Sequence, residues 1–171
     1  MLVAVEVRKT AVLSDGGVYR YRLTRHWGDS PLMPFVMLNP STADANVDDP
    51  TIRRCMGFAR RENAGGIAVV NLYGLRATDP AELRKTKDPF GPDNRANISM
   101  LGMEAAAAGL PVVCAWGTGG WVKSADVATI HLLKGTGAKL VCLGTTKAGH
   151  PKHPLYIKAD QPLIPFEGHP R

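Results

Sequence analysis

Four short apolar runs stand out along the chain, at residues 35–38, 67–72, 112–116 and 140–143, and none has the alternation of a half-exposed strand. Runs of this kind, separated by helical stretches, predict strands buried on both faces of a parallel sheet. The segments between them read as helices. Asp49 is a natural N-cap with Pro50 at the first helical position, opening a helix over 51–62 that Gly65-Gly66 ends. A short helical turn over 81–84 follows Asp79-Pro80. Asp93 caps a helix running to Ala108, closed by Gly109 and Pro111. A last helix spans 121–134, between Gly119-Gly120 and Gly135.

Ahead of the first run, residues 1–27 read as two strands about the turn Ser14-Asp15-Gly16-Gly17. The second strand, 18–23, alternates apolar with basic residues, the pattern of a half-exposed strand. Beyond Leu143 the periodicity stops, and 144–171 reads as a Pro- and His-rich loop. The expected fold is a single α/β domain over 1–171. It is a three-layer α/β/α sandwich around a central, mostly parallel four-stranded sheet, with an N-terminal β-hairpin.

A chain of 171 residues fits one domain, and 18 Gly with 13 Pro agree with long connecting loops. The formal charge of +6 suits a polyanionic partner or a phosphorylated substrate without selecting either. The start, MLVAVEVRKTAVLSDGG, lacks a basic head followed by an apolar run, and no stretch approaches the ~20 apolar residues that span a bilayer. A cytoplasmic protein without a membrane partner is expected, and a monomer. Cys55, Cys114 and Cys142 are far apart in apolar or helical contexts and read as small buried thiols. No C-x-x-C pair occurs, so neither a metal nor another cofactor is expected.

Ligands of open parallel sheets bind beyond the carboxyl ends of the strands, and polar, turn-forming residues follow each apolar run here. They are Asn39-Pro40-Ser41, then Asn71-Leu72-Tyr73-Gly74, then 116–120, then the stretch 144–156 with His150 and His153. Each has a plain structural reading beside the functional one. Asn39 before Pro40 is also a turn former. Asn71 at the end of a buried strand needs partners for its donors and acceptor, from backbone or from a planar base edge. Asp49 reads as a helix cap before a catalyst, and Asp44 and Asp48 read equally as solvated loop carboxylates. Arg53 and Arg54 sit in a first helical turn, where cations oppose the helix dipole; either an anion or neighbouring carboxylates would relieve them. His150 and His153 lack a nearby third metal ligand. Phe58, Trp116 and Trp121 read as core before stacking platforms.

The segments MLNPSTAD, DPTIRRC, VVNLYGLRATDP, AWG and GHPKHPLY together resemble a bacterial and phage family of domains of unknown function, DUF1643. More remotely, their order is similar to that of the uracil-DNA glycosylase superfamily. That resemblance implies that Asn39, in an Asn-Pro loop with Pro40 and Ser41, positions the attacking water, and that Asn71 reads a flipped pyrimidine. It implies that His153, with His150 as competitor, bonds the departing base, and that Leu155 or Tyr156 wedges into the duplex. Phe58 is the nearest candidate for a stacking aromatic, and Arg53, Arg54, Lys147 and Lys152 would hold phosphates.

The implied reaction is hydrolysis of the N-glycosidic bond of a flipped, modified or unmodified pyrimidine in DNA. Asn39 has no basic group, so Asp44 or Asp48 would supply general-base help worth ~10²–10⁴-fold. Two alternatives stand beside this one. One is a nucleotide- or nucleoside-processing enzyme of modified-base metabolism on the same fold. The other is a non-catalytic nucleic-acid-binding module.

Overall fold

The computed structural model describes residues 5–168. The N-terminal segment forms β1 (Arg8–Leu13) and β2 (Arg20–His26). The four apolar runs form β3 (Leu32–Met37), β4 (Gly66–Asn71), β5 (Val112–Cys114) and β6 (Leu140–Cys142), and the tail adds a short β7 (Ile164–Pro165). The helices are α1 (Pro50–Arg61), α2 (Glu82–Lys85), α3 (Asn94–Ala108) and α4 (Ala125–Gly135). Residues 1–4 of the expected hairpin segment and 169–171 of the tail lie outside the described residues.

All seven strands join one sheet in the order β1-β2-β4-β3-β5-β6-β7. The parallel core is β4-β3-β5-β6, as the apolar runs predict. The expected count of four strands is too low because the hairpin is not separate. β2 pairs antiparallel with β4, from Leu23 opposite Val69 to His26 opposite Gly66, and so covers that edge of the core. β7 covers the other edge, pairing with β6. Two residues, one of them proline, are too short a strand to leave a periodic signal.

Alternate residues of each core strand face opposite layers, which explains the absence of polar alternation. Ile67 and Val69 pack with Phe35, Val113 and the α1 residues Ile52, Cys55 and Phe58. Ala68 and Val70 pack with Val36, Val112 and residues of α3 and α4, among them Ile98, Leu101 and Leu133. Helices on both faces make three layers. All three cysteines are buried and unbridged.

Gly65-Gly66 does more than end a helix. A Cβ on Gly65 would lie 1.9 Å from the Ser30 carbonyl oxygen, and one on Gly66 2.1 Å from that of Arg25. Both glycines let β4 start against neighbouring backbone.

The alternating β2 differs from a half-exposed strand. Arg20 and Arg25 are 3% and 0% exposed. The pairing shifts by one between Val12 opposite Arg22 and Leu13 opposite Arg20, so β2 carries a bulge there. Arg20 and Arg25 are five positions apart and would face opposite sides of a regular strand; the extra residue turns both under the loop 43–48. Arg25 Nε donates to Asp48 Oδ1 at 2.6 Å, and its Nη atoms donate to the carbonyls of Thr24, Asp44 and Val47. Arg20 Nη1 donates to the Ala43 carbonyl. Arg22 turns the other way and forms a two-pronged pair with Glu104 of α3. The acidic loop is therefore a cover for two buried guanidiniums.

Burial pushes the Asp48 carboxyl up, but hydrogen bonds and charge from Arg25 and Lys9 outweigh it and hold the group below its ordinary range. A depressed carboxylate contributes stability in full above its unfolded pKa of about 4 and loses it as pH falls through the folded value. Asp48→Ala should cost ~3 kcal/mol at neutral pH by leaving Arg25 without its counter-charge. Denaturant melts of both proteins check this, and the gap should close below about pH 4.

Candidate functional site

β3 and β4 run in parallel register, Met37 beside Asn71, and both strands end at the same rim. Parity sends Asn71 to the α1 side together with Ile67 and Val69. A cavity of ≈ 310 Å³ opens at this rim. Its walls come from the end of β3 (Asn39), the end of β4 (Asn71), the bulged start of β2 (Arg20), the first turn of α1 (Asp49, Thr51) and the last loop (His153, Leu155, Tyr156).

Asn71 is the outstanding group. It is 1% exposed, and neither its amide nitrogen nor its amide oxygen has a hydrogen-bond partner. Leaving such a group unpaired costs ~1–3 kcal/mol, and this amide presents one donor and one acceptor that no group among the described residues satisfies, beside a cavity. Its backbone is held firmly: the carbonyls of Asn71 and Leu72 both accept from Asn94 Nδ2 of α3, at 3.0 and 3.1 Å.

Asn39 has the opposite character. Its Nδ2 donates to the carbonyls of Pro40 and Ala77 at 2.9 and 2.8 Å, and Ala77 N–H donates back to the Pro40 carbonyl at 3.0 Å. The amide thus staples the Asn-Pro loop to the loop after β4, and its oxygen is the end left for the cavity. Ser41 borders the cavity, while buried Pro40 shapes the turn behind it.

His153 heads the short 3-10 turn Pro154–Tyr156, and its Nδ1 accepts from the Leu155 N–H at 3.3 Å. An accepting Nδ1 places the neutral ring's proton on Nε2. Burial draws the His153 pKa below its ordinary value, opposed by the charge of Asp49. At neutral pH the ring is an uncharged donor. His150 is outside the cavity walls; its backbone closes a turn with Thr146, so His153 is the histidine at the site. Leu155 and Tyr156 stand on the rim, 42% and 84% exposed.

Several expected site residues lie elsewhere. Asp44 Oδ1 accepts from the N–H groups of Asn46 and Val47, and these bonds hold its pKa below the ordinary carboxylate range. Asp48 is engaged by Arg25 and Lys9. Neither lines the cavity; the carboxylate that does is Asp49, whose Oδ1 caps α1 at Ile52 N–H, 2.8 Å away. Phe58 is buried in the core under the Arg54 and Arg61 guanidiniums, 5.1 and 5.2 Å from its ring centre.

Arg54 donates to the carbonyls of Pro154 and Ile157, clamping the His153 turn onto α1. Arg53 donates to the Asp48 carbonyl at 2.7 Å. Lys147 and Lys152 are exposed and outside the cavity walls. Arg20 and Asp49 are charged wall residues that pattern reading passed over, one as strand surface and one as a cap. Among the described residues no cluster of three His, Cys, Asp or Glu could hold a metal ion, and no helix is long and apolar enough to cross a membrane.

These features define an α/β protein with a cavity at the C-terminal rim of its parallel strands. The chain belongs to the family described as protein of unknown function (DUF1643), whose model matches residues 20–155, from buried Arg20 to Leu155 on the cavity rim. No curated protein and no solved structure matches it.

Replacing Asp49 by Asn keeps a good helix cap but removes the charge that favours the His153 imidazolium. The His153 titration, followed by NMR, should have its midpoint below 6.5 in the wild type and move lower still in Asp49→Asn.

Proposed function

We propose that the cavity binds a pyrimidine base and that the protein hydrolyses its N-glycosidic bond, acting on a nucleotide flipped out of DNA. The observation that carries this reading is the buried, unpartnered Asn71 amide. One acceptor and one donor side by side match the complementary edge of a uracil-type or cytosine-type base. A base that left those groups unpaired would be rejected by the penalty for burying an unsatisfied amide. The volume suits a base with its sugar.

The remaining groups fall into place around that base. His153, neutral with its proton on Nε2, donates to the oxygen on which charge grows as the base departs. Asn39 accepts a hydrogen from the attacking water through its oxygen and so orients it. With Asp44 and Asp48 engaged elsewhere, Asp49 is the carboxylate within the site that can draw the water's proton. Leu155 and Tyr156, exposed at the mouth, fill the gap left by the extruded nucleotide. The strand order β4-β3-β5-β6, with Asn39 after β3, Asn71 ending β4 and His153 after β6, supports a reading along the lines of the uracil-DNA glycosylase superfamily.

Oligonucleotides carrying uracil, 5-hydroxymethyluracil and other modified pyrimidines, scored for abasic sites, test the activity. At least one should be cleaved, with kcat/KM falling ~10²-fold or more in Asn71→Ala and in His153→Ala. Asn39→Asp should also lose activity, because it sets a carboxylate against the carbonyls of Pro40 and Ala77. An intact panel, or unchanged rates in Asn71→Ala, would overturn the reading.

A further inference from the structure

We propose that a nucleotide phosphate, monoester or diester, is held between Arg20 and Arg76 at the hairpin end of the cavity, and not by the basic residues of α1 or the last loop. The inference rests on the cavity being a base site. Arg20 lines the cavity and is 3% exposed, and although Nη1 donates to the Ala43 carbonyl, its Nε–H is buried without a partner. Burial draws its pKa down to about 10, countered by Asp49 and lowered further by the nearby charge of Arg76. It is still a cation at neutral pH.

Ser41, Ala77 and Thr78 border both the base cavity and an adjoining groove of ≈ 790 Å³, which Arg76 and Thr42 also line. Arg76 has one long contact, to the Gly17 carbonyl at 3.4 Å, which leaves the rest of its guanidinium for the groove. Two neighbouring guanidiniums flanked by hydroxyls form an oxyanion site.

Asp49 faces the base end of the cavity, where its charge acts on both Arg20 and His153. The carboxylates nearby each have hydrogen-bond partners of their own. Asp44 holds its own loop, Asp49 caps α1, Asp79 accepts from Ala81 N–H, and Glu82 pairs with Lys85. Among the described residues neither Arg20 nor Arg76 is in a salt bridge. By contrast Arg53 and Arg54 are bonded to backbone carbonyls.

Calorimetric titration of the whole protein with deoxyuridine, its 5′- and 3′-monophosphates and a uracil-containing oligonucleotide tests the assignment. One monophosphate or the oligonucleotide should bind ~10-fold or more tightly than the nucleoside, and which of them does so separates the monoester from the diester. Arg76→Gln should remove that advantage while leaving nucleoside affinity and melting temperature unchanged. Arg20→Lys, which keeps the buried charge but not the Nε–H, should reduce it. Equal affinities for the nucleoside and all phosphate forms, or an Arg76→Gln loss shared by the nucleoside, would overturn the phosphate site and leave the base reading standing. Purine monophosphates binding as tightly as pyrimidine ones, with the same Arg76→Gln loss, would do the reverse.

Discussion

Two arginines buried under an acidic loop organise the working end of this protein. Arg25, fully buried, is held by Asp48 and by carbonyls of the loop, and Arg20 by the Ala43 carbonyl. Burying a guanidinium is costly unless it is paired and hydrogen-bonded, so the loop must close over β2 for the hairpin to dock. Once closed, it ends at Asp49, which caps α1 and fixes where that helix begins. The cavity lies between these commitments: its floor is the end of β3 and β4, and its side walls are Arg20 and the first turn of α1.

Polar groups at the rim divide into those that build and those that remain available. Asn39, Arg54 and Asn94 spend their donors on backbone carbonyls and thereby staple loops and strands together. Asn71 and the Arg20 Nε–H spend nothing, although both are buried. A protein interior tolerates few such groups, and two at one cavity concentrate the unmet hydrogen bonding where a ligand can satisfy it. Rigid support behind Asn71 matters equally to the proposed function, because discrimination by an unsatisfied amide would require that the amide cannot turn aside to find a substitute partner.

Much of this was legible in the sequence. Doubly buried strands announce themselves as unbroken apolar runs, and caps such as Asp49-Pro50 and Gly109 mark the helix ends. The gathering of Asn39, Asn71 and His153 at one rim follows from strand direction alone. What was hidden depends on long-range contacts. A bulge changes which face Arg20 occupies without altering the local alternation, so β2 reads as half-exposed surface when it is interior. The role of Asp48 depends on a hairpin about twenty residues away, and that of Arg54 on a turn a hundred residues away. The acidic loop was the visible signal; its partner, the basic face of β2, was visible too, but no local pattern joins them.

In the proposed function Asn71 reads a pyrimidine edge, and its side-chain amide can be watched directly. In ¹⁵N-labelled protein, saturating pyrimidine nucleotide should move the Asn71 amide resonances downfield as new hydrogen bonds form, while a purine nucleotide leaves them in place. Asn71 amide signals that stay fixed with pyrimidine bound, or shift equally for both base classes, would contradict the central claim.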